Sequence, residues 1–231
     1  MTTPLAGVIF DLDGTLIDSA PDIRNAINTH LQSQNRRLLS LDEVKRAVGD
    51  GALTLVERAL GLTGTKADHD TLIEHVQNFI KIYRDITPDP AQIFPGVLST
   101  LAAFKEHAVP MGICTNKPQA ATHKLLDDLR LKPFFSGIAG GDTFPVHKPD
   151  PGHLRGVIDM MNVPVAHCVM VGDSPNDLAA AHGLGIPCIL ADYGYGSDCA
   201  SLPAEAIIKD MAELPAALTR LGFQTGLHTG I

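Results

Sequence analysis

Asp11-Leu12-Asp13-Gly14-Thr15 follows directly on the apolar run Gly7-Val8-Ile9-Phe10. The run reads as a buried strand, so two carboxylates sit where a strand gives way to a tight turn. Residues i and i+2 of an extended chain point to the same side. Gly14 opens backbone angles closed to a residue with a Cβ. Asp11 and Asp13 can therefore converge on one small object, and a divalent cation with a phosphate suits them, because hard cations take oxygen ligands. Taken alone, Asp-Gly-Thr is also an ordinary turn signal. The apolar run before it puts the acids at the mouth of a core rather than on a hairpin.

Three further polar clusters follow later apolar runs. Thr115-Asn116 ends the run Val109 to Cys114 and offers a hydroxyl and an amide to phosphate oxygens; singly, it reads as an N-cap. Lys148-Pro149 lies in the loop from Gly140 to Pro151. A lysine before proline has a restricted, extended backbone, and here it is a fixed cation or a plain surface lysine. Gly172-Asp173-Ser174-Pro175-Asn176-Asp177 follows the run Cys168 to Val171. Asp173 can complete a metal site or cap a helix, and Asp177 can orient Lys148 or water ligands.

The elements between these clusters say whether they can meet. From Ser19 to Ile86 the pattern is helical. Ser19-x-x-Asp22 and Ser40-x-x-Glu43 read as capping boxes. Gly49-Asp50-Gly51 breaks the second helix, and Leu53, Val56 and Leu60 continue a third that Gly61 can end. Leu72, Ile73, Val76, Phe79, Ile80 and Tyr83 stripe a fourth. Thr87-Pro88-Asp89-Pro90 reads as a linker. Beyond it, helices and strands alternate: helix at Val97 to Phe104, strand at Val109 to Cys114, helix at Pro118 to Leu129, and a weak strand at Gly137 to Gly140. Helix at Pro151 to Met161, strand at Cys168 to Val171 and helix at Asp177 to Leu184 follow. Strands at Pro187 to Ala191 and Ala206 to Ile208 and a helix at Met211 to Leu221 complete the series, and Gln224 to Ile231 reads as a loose tail. Such alternation predicts a parallel sheet covered on both faces. Right-handed crossovers then put all strand C-termini on one edge, where ligands of open α/β sheets bind. Asp11, Thr115, Lys148 and Asp173 would gather there, and the helical segment, inserted after the first strand, would fold over them. Four clusters in this order favour the joint reading over the separate ones.

Composition narrows the function classes. The chain has 231 residues, 45% hydrophobic, with a formal net charge of −8, enough for one sizeable core and a smaller second unit. No Lys/Arg stripe is present, which disfavours nucleic acid as a partner. No apolar stretch reaches the roughly 18 residues that would span a bilayer, and Met1 to Gly7 lacks a leader pattern. A cytoplasmic protein is expected. Cys114, Cys168, Cys188 and Cys199 form no Cys-x-x-Cys pair and read as small buried hydrophobes. Among the histidines, His147 beside Lys148 is the one to watch.

The four clusters resemble the four motifs of the haloacid dehalogenase-like hydrolase superfamily: Asp11-x-Asp13-Gly14-Thr15, then Thr115-Asn116, then Lys148, then Gly172-Asp173-x-x-x-Asp177. The similarity extends in detail to its bacterial phosphoglycolate phosphatases over Phe10 to Pro21, Val48 to Leu60, Thr115 to Pro118, Gly140 to Pro149 and Tyr193-Gly194-Tyr195-Gly196. It implies an α/β fold, a Rossmann-like parallel core (1–15 and 91–231) with an inserted all-helical C1-type cap (16–90). It implies a phosphatase in which Asp11 attacks phosphorus and Asp13 is the acid and then the base. Mg²⁺ would be held by Asp11, the Asp13 backbone carbonyl and Asp173. Thr115, Asn116 and Lys148 would bind the phosphate, with Asp177 in support. The expected partner is a small phosphorylated metabolite, 2-phosphoglycolate first. Arg46, Arg58 and the helix start after Gly49-Asp50-Gly51 are the candidates for holding its carboxylate. A sugar phosphate such as muramic acid 6-phosphate, a nucleotide, a phosphomutase reaction, a phospho-acceptor signalling module and an idle binding protein are the rival readings. A true dehalogenase is disfavoured, since Asp13 and Asp173 would have no task in an attack on carbon.

Overall fold

The computed structural model describes residues 3–196, 199–224 and 226. In chain order the strands are β1 (Thr3–Pro4), β2 (Gly7–Phe10), β3 (Met111–Cys114), β4 (Gly137–Ala139), β5 (Cys168–Gly172), β6 (Cys188–Ala191), β7 (Ala206–Ile208) and β8 (Phe223–Gln224). The helices are α1 (Ala20–Ser33), α2 (Leu41–Ala47), α3 (Gly51–Thr63), α4 (His69–Arg84), α5 (Val97–Glu106), α6 (Gln119–Asp128), α7 (Pro151–Met161), α8 (Pro175–Gly183) and α9 (Leu214–Arg220). Six strands form one sheet in the order β4-β3-β2-β5-β6-β7, every pair parallel.

Strand alternation sorts the side chains of this sheet between two cores. Val8, Phe10, Val169, Val171, Ile189 and Ala191 face one layer, with Leu101, Phe104 and Leu218. Ile9, Cys168, Met170, Cys188 and Leu190 face the other, with Leu154, Val157 and Leu178 from α7 and α8. Burial on both faces explains why these strands read as continuous apolar runs. All four cysteines are buried, and His147 is exposed.

Helices α1 to α4 form a third apolar cluster of their own, built on Ile27, Leu31, Val44, Val56, Leu60 and Phe79. The two chain segments entering and leaving this helical insert lie side by side. Ile17 bridges to Ile93, Asp18 N–H donates to the Gln92 carbonyl at 2.7 Å, and Phe94 N–H donates to the Leu16 carbonyl at 3.1 Å.

Several local expectations change. The Ser40–Glu43 capping box forms, but the one at Ser19 does not: Ser19 has a helical backbone (φ −80, ψ −6) rather than the extended one of a capping residue, and its hydroxyl is turned to Asp13 Oδ1, to which it donates at 2.5 Å. α3 begins at Gly51 and runs through Gly61 to Thr63. Leu53 and Ile73 are exposed; each sits beside its helix's buried stripe, which three- and four-residue spacing alone does not resolve. β3 starts at Met111, two residues later than the apolar run. The expected loose tail begins with a paired residue, Gln224 lying beside Pro4; residues 225 and 227–231 lie outside the described residues. Among the described residues, no helix is long and apolar enough to cross a membrane.

Candidate active site

The C-terminal ends of β2, β3, β4 and β5 carry the site. The ladder continues one residue past the strands, with Asp11 N–H on the Val171 carbonyl and Thr115 N–H on the Ala139 carbonyl. This fixes Asp11, Thr115 and Asp173 on one edge. Gly14, at φ +85, turns the chain back immediately after Asp13, and a Cβ there would run into the Asp173 carboxylate. Only glycine serves at that position, for the backbone angle and for the space.

Asp11, Lys148, Asp173 and Asp177 form a buried electrostatic cluster. Lys148 Nζ donates to Asp11 Oδ1 at 2.9 Å and to Asp177 Oδ1 at 2.6 Å. Leu12 N–H also donates to Asp11 Oδ1, at 2.7 Å. Asp177 Oδ2 accepts from Asp173 N–H, Ser174 N–H and the Ser174 hydroxyl. Both Asp177 oxygens are thus engaged in holding Lys148 and the start of α8. Asp173 Oδ2 accepts from Tyr195 N–H at 2.6 Å and Gly196 N–H at 3.2 Å.

Burial pushes the Asp11 carboxyl up to about 6, opposed by Lys148. Burial, with Asp11 and Asp177 adding to it, raises Asp173 to about 8. Burial alone would lower Lys148, but Asp11 and Asp177 together carry it above the usual lysine range. Three carboxylates around one ammonium leave an excess of negative charge. Oxygens of Asp11, Asp173 and Asp177 all lie within 4.8 Å of one another. A hard divalent cation suits such an all-oxygen set. Since Asp177 is fully engaged, Asp11 and Asp173 are the side chains fitted to ligate it.

Asp13 stands beside this cluster with different neighbours. Besides Ser19, it receives Lys117 Nζ at 3.1 Å on Oδ1 and 3.2 Å on Oδ2. Lys117 Nζ also donates to the Tyr83 hydroxyl, on α4, at 2.9 Å. Asn116 Nδ2 donates to the Lys148 carbonyl at 2.8 Å and to the Gly49 carbonyl at 2.9 Å. It ties the loop after β3 to the loop of Lys148 and to the helical insert. The peptide bond between Lys148 and Pro149 is cis.

These groups open into a pocket between the sheet edge and the insert, with about 590 Å³ of empty space including its mouth. Asp11, Asp13, Thr115, Asn116 and Lys117 line its floor, and Ile23, Val48, Gly49, Ala52, Leu55, Phe79 and Tyr83 its roof. The structure therefore brings together all seven expected residues at one edge, five around the pocket floor or beneath it and Asp173 and Asp177 behind Lys148. It does not bring in the two arginines. Arg46 is exposed, and Arg58 is paired with Asp50 Oδ2 at 2.5 Å and with the Ala47 carbonyl. His147 makes no contribution to the lining.

Four residues at the site escaped sequence reasoning. Lys117 lies between Thr115-Asn116 and the helix expected from Pro118, and nothing in the sequence singles it out. Ser19 looked like a cap. Tyr83 belonged to an apolar stripe. Tyr195 N–H holds Asp173, while its hydroxyl donates to Asp18 Oδ1 and accepts from Ala20 N–H, each at 2.8 Å. The one signal for it was the Tyr-Gly-Tyr-Gly stretch.

Comparison with known proteins agrees with this geometry. A model of the haloacid dehalogenase-like hydrolases matches residues 5–185. The chain is 39% identical over 215 residues to the phosphoglycolate phosphatase of Rhodospirillum rubrum, covering 90% of this chain and 88% of the relative. It is 36% identical over 228 residues to that of Caulobacter vibrioides, covering 98% and 96%. Among solved structures, a predicted phosphoglycolate phosphatase from Haemophilus somnus 129PT superposes with a TM-score of 0.84 at 28% identity, covering 93% of this chain and 98% of that one. CbbY from Rhodobacter sphaeroides, solved in complex with phosphate, shares the fold at 22% identity and a TM-score of 0.79, covering 93% and 99%. With the four motifs on one sheet edge and this similarity running through most of its length, the chain belongs to the haloacid dehalogenase-like hydrolases.

Proposed function

We propose that the chain is a Mg²⁺-dependent phosphatase of small phosphate monoesters, with 2-phosphoglycolate as its substrate and the helical insert as its cap. The observation that carries the reading is the state of Asp11. Its Oδ1 is clamped by Lys148 and by the Leu12 N–H, while Oδ2 has no hydrogen-bond partner among the described residues. A nucleophile needs this combination of a fixed carboxylate and one free oxygen. The names of the relatives support phosphoglycolate over a larger sugar phosphate or nucleotide.

Asp11 Oδ2 attacks phosphorus in line, and the bond from phosphorus to the glycolate oxygen breaks. Asp13 gives that oxygen a proton. The electron pair of the broken bond stays with the leaving oxygen, and Asp11 carries the phosphoryl group as an acyl phosphate. Asp13, now ionised, takes a proton from water as it attacks phosphorus; orthophosphate leaves and both carboxyl groups return to their starting states. Lys148 keeps positive charge beside the transferring group throughout, and the Thr115 hydroxyl donates to its oxygens, while Asn116, whose two amide protons go to the Gly49 and Lys148 carbonyls, holds the surrounding loops in place. Mg²⁺, held by Asp11, Asp173 and the Asp13 carbonyl, would supply further positive charge to the phosphoryl oxygens.

The test is phosphate release from a panel of phosphorylated metabolites with Mg²⁺ and after chelation. Phosphoglycolate should lead the panel, chelation should abolish turnover, and Asp11→Asn should reduce it by several orders of magnitude. Orthophosphate release by Asp11→Asn at the wild-type rate would end the reading. A sugar phosphate or nucleotide at the head of the panel would replace the substrate and leave the mechanism standing.

A further inference from the structure

We propose that Lys117 is the specificity residue that reads a carboxylate on the alcohol side of the substrate. This restricts the enzyme to phosphate esters of α-hydroxy acids, and it rests on the phosphatase reading above. Two needs must be met by such a pocket: positive charge for the phosphoryl group and positive charge for the acid at the other end. Lys148 is beneath Asp11 and is committed to Asp11 and Asp177. Arg46 and Arg58 lie outside the lining. Lys117 is the cation among the lining residues.

Its position matches the geometry of the substrate. Asp13 must reach the bridging oxygen of the ester to protonate it. In an α-hydroxy acid, the carboxylate carbon is two bonds from that oxygen, so its oxygens lie within a hydrogen bond's reach of whatever surrounds Asp13. Lys117 Nζ is 3.1 Å and 3.2 Å from the two Asp13 oxygens. Its side chain is 5% exposed, so an ion pair formed there is little screened by water. A lysine ammonium has three rotatable donors. In the free protein they serve Asp13 and the Tyr83 hydroxyl, and the entering carboxylate takes over a position now held by Asp13.

Tyr83 makes the contact dependent on the cap. It stacks on Phe79, and Lys117 Nζ lies 4.4 Å from its ring centroid as well as bonding its hydroxyl. Lys117 comes from the core and Tyr83 from α4, so the ammonium has its full set of neighbours when the two units are together. A carboxylate-bearing substrate is therefore recognised at the seam that must close over it.

The experiment compares 2-phosphoglycolate with ethyl phosphate, which has the same skeleton without the acid, in the wild type, Lys117→Met and Lys117→Gln. Both variants should lose about 10- to 100-fold in kcat/KM for phosphoglycolate, mainly through KM, as expected for one charge-assisted contact. Ethyl phosphate, which can lose only what Lys117 contributes through Asp13, should fall at least about tenfold less than phosphoglycolate, so the readout is the ratio of the two kcat/KM values, and thermal melts report that the variants are folded. Equal losses on both substrates, or a loss confined to kcat, would show that Lys117 merely positions Asp13 and would overturn the assignment. A preference for phosphoglycolate that survives both substitutions overturns the assignment alone. A wild type that shows no such preference overturns the assignment together with the proposed substrate.

Discussion

Replacing Lys148 by Met removes one ammonium from the centre of the site and keeps most of the side chain's length. The Lys148 side chain is 1% exposed, that of Asp11 9% and that of Asp177 0%. The substitution leaves three acids with oxygens within 4.8 Å of one another and no counter-charge. Deleting one partner of a buried pair costs roughly 3–5 kcal/mol. Unfolding entropy near 60 °C is about 2.1 cal/mol/K per residue, hence about 0.5 kcal/mol/K for a chain of this length that melts as one unit. The expected fall in Tm is therefore roughly 6–10 °C without metal. The pH dependence has a definite sign. Asp11 and Asp173 are raised to about 6 and about 8 from 3.8, so the folded protein keeps protons that the unfolded chain has released. Their contribution to stability is complete below about 4 and is lost as pH rises through 6 and 8. The deficit of the variant should thus be small in acid and grow to its full size in alkali. Mg²⁺ should restore more of it than it adds to the wild type. Thermal melts of both proteins across this range, with chelator and with Mg²⁺, provide the measurement. A fall under about 2 °C at the alkaline end, below about 1 kcal/mol, or one indifferent to pH and metal would refute Lys148 as the counter-charge.

Gly14→Ala should be costly out of proportion to one methyl group. The backbone angle of +85° costs about 1–2 kcal/mol with a Cβ, and the new methyl displaces the Asp173 carboxylate. The Mg²⁺ concentration for half-maximal activity should rise by about tenfold, as for loss of a metal-orienting contact; an unchanged Mg²⁺ titration would contradict the crowding argument. In the helical insert, His30 Nε2 lies 2.8 Å from His75 Nδ1. Burial, then His75 and Arg36, hold His30 below its ordinary value of 6.5. The folded state refuses a proton that the unfolded chain accepts, so this contribution is present above 6.5 and lost as pH falls below it. His30→Gln should flatten the acid side of the stability profile, read from thermal melts, and an unaltered slope would exonerate the pair.

The sheet was legible in the sequence because both of its faces are buried, which turns its strands into unbroken apolar runs. The same property hid the register and the first residues of β3, since an apolar run does not say where pairing begins. The four motif positions were legible because strand ends in a parallel sheet share an edge, so order along the chain translates into proximity. The partners of Asp13 were not. Lys117 and Tyr83 are 34 residues apart, and their meeting depends on how α4 packs on the loop after β3. Ser19 shows why a motif can mislead. A cap must present its hydroxyl oxygen to the helix's free N–H groups, and here the helical backbone of Ser19 turns the hydroxyl to Asp13, six residues earlier. The arginines failed as candidates for a related reason: Asp50, the residue expected to help start an anion-binding helix, neutralises Arg58 instead.

The paired crossings at Ile17 and Ile93 have an evolutionary corollary. Because the whole 75-residue excursion between them departs and returns through one short ribbon, it can be exchanged as a cassette by two neighbouring splices. The sheet and its acids would be untouched by such a graft. Descendants of this scaffold can thus acquire new chemical tastes by trading lids, without relearning how to break the ester.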